Sequence, residues 1–271
     1  MTNFLGLTFS FSVGQFSFDG FTETVSKKKA RNKPEVFMGQ LRKRYDSELK
    51  KIKLDIIQMC SLVEEQIDNC TAALVNNDES SAAKVYENEI LVDKMEDYIE
   101  NRCYFFLLRE SPVARDLRDI FAGVKIIAEL ERIGDQADDI AAVFYAINNS
   151  SEQLKQLVFV PKMGKLASQM VRGCVDAYVK NDTEKAAEVM KQDEEMDKLY
   201  FAAQDHLRDF IIENAKKNAQ QALLLLMIVK YYERIGDHAV NVCEWVHYAE
   251  TGVNPRHAKK YSRQVKETKD K

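Results

Sequence analysis

The sequence predicts an all-α protein of two tandem antiparallel three-helix bundles related by internal duplication. Three observations carry this. The chain of 271 residues holds only 4 Pro and 10 Gly, yet it is 45% hydrophobic and 30% charged, a balance that favours helices. Apolar residues recur at helical spacing, as in Ile120, Val124, Ile127, Leu130 and Ile133. The chain also repeats itself. A shift of 104 residues lays residues 72–94 on 176–198, with Asn77–Asp78 on Asn181–Asp182 and Ala82–Ala83 on Ala186–Ala187. Further on the shift is 102, and it carries the motif ERIGD at 131–135 onto ERIGD at 233–237. A loop between helices absorbs the difference of two.

Residues 1–40 are expected to form a poorly packed N-terminal extension. Residues 1–25 are rich in Phe and Ser with period-two alternation, and a basic run follows at 27–33. An isolated strand pattern has no pairing partner in a helical chain. The stretch lacks a positive segment ahead of its apolar part, so no signal peptide is expected. Met38, just before the helical pattern, is the expected physiological start.

The first bundle is assigned to 41–148, with helices over about 45–76, 79–108 and 112–146. Asp78 is the expected N-cap of its second helix. Ser111 caps the third, with Pro112 at the first helical position. The second bundle is assigned to 153–252, with helices over about 161–180, 183–214 and 218–250. Asp182 repeats the cap, and Gly252 stops the last helix. A basic tail fills 253–271.

Composition excludes several classes. A formal net charge of −4 gives no basic field for nucleic acid. Cys60, Cys70, Cys103, Cys174 and Cys243 are odd in number and form no CxxC pair, which fits reduced, buried thiols. The longest apolar run, 222–229, is too short to span a bilayer.

The duplication also sorts the acids. Carboxylates four residues apart share a helix face and destabilise an isolated helix by roughly a few tenths of a kcal/mol. Such pairs are frequent here: Glu64/Asp68, Glu96/Glu100, Asp135/Asp139 and Asp205/Asp209 also qualify. Only two per half survive the shift, Glu89/Asp93 with Asp193/Asp197 and Glu131/Asp135 with Glu233/Asp237. They lie on the second and third helices of each half, about equally far from the connecting turn, so they should meet at one height. Four acids in a patch need counter-charge or raised pKa values. Arg132 and Arg234 offer one positive group per patch, and a metal ion would supply the rest. Oxygen ligands suit Mg2+, Ca2+, Mn2+ or iron. The bland alternative is salt bridges to neighbouring Arg and Lys. Gly134 and Gly236, each inside a helix at a cost of about 1 kcal/mol against Ala, point to close backbone approach.

The segments SPVARDLRDIFAGVKIIAELERIGDQADDIA (111–141) and VKYYERIGDHAVNVCEWVHYAETG (229–252) resemble the PhoU family of phosphate-signalling regulators, as does RYDSELKKIKLDIIQMCSLVEEQI at 44–67. The resemblance spans about residues 40–252. It implies a cytoplasmic negative regulator of the phosphate-starvation response, peripheral to the inner face of the membrane through protein partners. Those partners would be the ATPase of a phosphate ABC transporter and a sensor histidine kinase. A homodimer is also expected, with no direct membrane insertion. The family's E(D)xxxD motifs bind metal clusters, iron or zinc in some members. They match Glu89, Asp93, Glu131, Asp135, Asp193, Asp197, Glu233 and Asp237, the eight acids the repeat selects. The expected cofactor is thus iron, zinc, manganese or magnesium, and no catalytic residue is expected. Pro112, Arg115, Asp116 and Arg118 are read as an exposed partner surface, against an ordinary helix start as the alternative. The second half carries NAKKNAQQ at 214–221 where the first has PVARDLR.

Two other functions compete. One is a carboxylate-bridged metalloenzyme, disfavoured because no Glu-x-x-His pair occurs and His206, His238, His247 and His257 do not repeat. The other is a structural helical scaffold without metal. Metal content separates the scaffold from the rest, and turnover separates enzyme from regulator.

Overall fold

A computed structural model describes residues 34–110, 112, 114–148 and 158–253. The expected strand-like segment at 1–25, the Ser111 cap and most of the basic tail lie outside the described residues. The chain divides into two units, residues 1–43 and 44–271. The described residues form six helices: α1 (Pro34–Asn76), α2 (Glu79–Glu110), α3 (Arg115–Asn148), α4 (Val160–Lys180), α5 (Thr183–Glu213) and α6 (Ala215–Thr251). In the first unit only the start of α1 is described. Everything below concerns the second.

The helix ends follow from local chemistry. Asn77 and Asn181 both take the left-handed conformation, with φ of 54°, which Asn tolerates better than most residues. The following Asp then caps the next helix. Asp182 accepts from the Lys185 amide at 2.9 Å, and Asp78 accepts from the Ser80 amide at 3.0 Å and the Ser81 hydroxyl at 2.7 Å. Gly252, at φ 75°, closes α6 as expected.

Three helix starts differ from expectation. α1 is already helical at Pro34, the first described residue, rather than from near Tyr45. Phe37, Leu41 and Tyr45 recur at helical spacing, so the apolar pattern reaches further back than Tyr45. α3 begins at Arg115, because Ala114 lies in the left-handed region (φ 49°) and ends any helix through Pro112. α6 begins at Ala215, where Asn214 accepts from the Lys217 amide at 3.3 Å.

The two bundles, α1–α3 and α4–α6, lie face to face and share one hydrophobic core. α3 packs along α6 in antiparallel sense: Arg115 pairs with Glu250, Arg118 donates to the Ala249 carbonyl, and His238 meets Glu129 at 2.8 Å. α1 faces α4 in the same sense. Lys53 donates to Asn181 Oδ1 at 2.8 Å, Arg172 Nε donates to Glu64 at 2.8 Å, and Gly164 sits against Thr71. The duplication carries α1 onto α4 and α3 onto α6, so these seams put the halves about a pseudo-two-fold. α2 and α5 pack on α3 and α6 respectively. No described helix is long and apolar enough to cross a membrane.

Candidate carboxylate sites

α2 and α3 bring Glu89, Asp93, Glu131 and Asp135 to one patch. Along each helix the pair is graded. Glu89 and Glu131 are half-buried, Asp93 is exposed, and Asp135 is partly covered. Glu89 lies deepest. Gln66 of α1 donates Nε2 to Glu89 Oε2 at 2.6 Å. A Cβ built at Gly134 would stand 2.9 Å from that same oxygen. The ERIGD glycine therefore admits the Glu89 carboxylate to the α3 backbone, the close approach its repetition implies.

The patch is short of positive charge. Burial pushes the Glu89 carboxyl up to about 7, with Asp93, Asp135 and Asp138 adding repulsion. Glu131 is raised by burial and by Asp135, against a lowering pull from Arg132. Arg132 reaches Glu131 at 3.6 Å and Asp135 at 3.4 Å, and is itself largely exposed. Three acids join the selected four. Glu96 and Asp138 are each pushed up to about 6, chiefly by burial, and Asp139 is raised in the same way.

The second patch is built on the same plan with different neighbours. Asp193 of α5 lies against Gly236, 3.1 Å from a Cβ placed there. Met196 and Met170 also lie against Gly236, where Gln66 lies against Gly134 in the first patch. Lys230 forms an ion pair with Glu233. Asp197 and Asp237 are exposed.

All donors are hard oxygens on one face, which suits a divalent or trivalent cation. As the side chains stand, no three His, Cys, Asp or Glu among the described residues converge closely enough to hold a metal ion. The donor chemistry and the Gly134 cradle fit a metal.

Arg115, Asp116, Arg118 and Pro112 gather where α3 starts beside the end of α6. Only Arg115 is exposed; the other three are half-buried, so the expected surface is narrower than the sequence suggests. Arg115 donates to both Glu250 oxygens, at 2.6 and 2.7 Å, and Arg118 packs on Gly252. These contacts lock the two bundles together. His238 is held at Nδ1 by Glu129 and lies near enough to Glu131 to pull against the burial that raises its carboxyl.

Gln66, Glu96, Asp138 and Lys230 were not singled out from sequence. Gln66 had a signal, being the polar member of the buried α1 stripe Ile56, Met59, Val63, Ile67 and Cys70. The others sit at positions where the duplication pairs unlike residues, which a search for repeated acids discards.

The fold and sites define a duplicated, all-helical, acidic protein whose two halves each carry a carboxylate patch. The PhoU domain pattern matches twice, at residues 56–143 and 160–246, and the chain belongs to the PhoU family. A phosphate-specific transport system accessory protein PhoU homolog of Clostridium acetobutylicum is 36% identical over 214 residues, covering 78% of this chain and 96% of that one. The Escherichia coli protein of that name, PhoU, is 31% identical, covering 79% and 88%. The crystal structure of PhoU from Pseudomonas aeruginosa superposes with a TM-score of 0.73 at 31% identity, covering 77% of this chain and all of that one. That of the phosphate transport system regulatory protein PhoU from Streptococcus pneumoniae gives 0.71 at 25% identity, covering 78% and 98%. Members of the family are regulatory accessory proteins, not enzymes.

Proposed function

We propose that this chain is a cytoplasmic regulator of phosphate homeostasis that carries carboxylate-bound metal on each bundle. It restrains the phosphate-starvation response by coupling the ATPase of a phosphate ABC transporter to a sensor histidine kinase. The accessory-protein names of its relatives support the transporter half of this reading. The observation that carries the metal is the recurrence, at matched positions of both bundles, of an acid seated against the ERIGD glycine.

Glu89, Asp93, Glu131 and Asp135 would hold metal on the first bundle, and Asp193, Asp197, Glu233 and Asp237 on the second. Iron, zinc, manganese or magnesium would supply the positive charge the patches lack. The chain's own residues do the positioning. Gln66 fixes Glu89, the glycines admit the inner acids, and Arg132 and Lys230 hold the outer ones. Docking uses the α3 start, led by the exposed Arg115 with the half-buried Pro112, Asp116 and Arg118 beside it, and the protein works as a homodimer reaching the membrane through its partners.

Affinity capture of the purified transporter ATPase on the immobilised chain tests this. Capture should fall after chelation and return with Mn2+. Capture indifferent to both treatments would detach the metal from the regulatory role, and no capture under any condition would overturn the coupling.

A further inference from the structure

We propose that the two duplicated carboxylate sites are unequal, the α2–α3 site binding a divalent cation first and more tightly and the α5–α6 site filling later. This rests on the metal reading above and assigns two residues that set the order, Gln66 and Lys230.

Gln66 is fully buried. Its Nε2 holds the Glu89 carboxylate, while its Oε1 has no hydrogen-bond partner and lies 3.1 Å from where a Gly134 Cβ would be. An orphaned buried carbonyl oxygen is costly. Here it stands beside a carboxylate at the back of an acidic site, where a neutral oxygen serves a hard cation. The repeat puts Met170 at the matching position, so the back of the second site is apolar.

The outer shells diverge in the same direction. Glu96, Asp138 and Asp139 correspond to Tyr200, Val240 and Asn241, so the first site gains three acids that the second lacks. Ala128 corresponds to Lys230, whose ammonium already pairs with Glu233 and lies 5.3 Å from the centre of the Tyr200 ring. A cation entering the second site must displace an ammonium in direct contact with Glu233. A cation entering the first displaces only the largely exposed Arg132, which stands off at 3.4 and 3.6 Å, and meets more acids and a preset inner ligand.

The experiment is a Mn2+ titration of the chelator-treated full chain, reading free Mn2+ by electron paramagnetic resonance. The wild type should show a tight and a weak phase. Gln66→Met, which copies the second site, should weaken only the tight phase, by about tenfold or more, the usual effect of losing a ligand-orienting partner. Lys230→Ala, which copies the first site, should tighten only the weak phase by several-fold. Should Gln66→Met unfold, Lys230→Ala decides alone, since the lysine is part-exposed and its removal opens no core. A single phase for equal sites, or variants that leave their own phases unmoved, overturns the proposal. Absence of any Mn2+ binding in the wild type overturns the metal reading itself.

Discussion

At the scale of residues, the acids of the first patch govern how the metal-free protein responds to pH. Glu89, Glu96 and Asp138 are raised to about 7, 6 and 6. A carboxyl whose folded pKa exceeds its unfolded one stabilises the fold below the unfolded value, and that stability is lost as pH rises through the folded value. Chelator-treated protein should therefore lose stability to urea as pH rises from about 5 to about 7.5. A Glu89→Gln/Glu96→Gln/Asp138→Asn variant should flatten that slope, and an unchanged slope would place its origin elsewhere. The eight duplicated acids were legible because repetition filtered them from a charged background. Lys230 was not, because it acts through a difference between the halves, and Gln66 showed only as the polar member of an apolar stripe.

At the scale of elements, the repeated Asn-Asp pairs set where helices end and restart. Asp182→Ala should cost about 1 kcal/mol in urea denaturation, the usual value of an N-cap. A neutral effect would mean that packing alone fixes the start of α5. These breaks were legible since both halves write them alike. The starts of α3 and α6 were not. Ala114 adopts a conformation its residue type does not advertise. The polar start of α6 reads as a surface turn, yet Asn218 is buried there, donating Nδ2 to the Phe210 carbonyl at 2.7 Å.

At the scale of the molecule, the seam between the bundles explains why the halves diverged. Glu64/Asp68, one of the acid pairs the repeat discards, corresponds to Ser168/Arg172. About the pseudo-two-fold these residues face one another. Arg172 holds Glu64, and a hydrogen bond from Ser168 pulls against the burial that raises the Asp68 carboxyl. Two identical acidic pairs would have set four carboxylates against each other, so one half changed sign. Arg172→Met should cost about 2 kcal/mol, because it strands a largely buried carboxylate. Adding Glu64→Gln should recover most of that in the same urea assay, and no recovery would mean the arginine acts by packing instead. The three-helix unit and its repeat were legible in the sequence. The face-to-face seam was not, because helical periodicity says which face is buried but not against which helix.

Metal on the duplicated pairs, as proposed above, is the property on which the regulatory reading turns. Elemental analysis of the purified protein by plasma mass spectrometry, beside a Glu131→Ala/Glu233→Ala variant, tests it most directly. Metal should be present in the wild type and fall in the folded variant. Metal absent from the wild type, with the variant equally or more stable to heat, would contradict it and return ERIGD to helix packing and ion pairing.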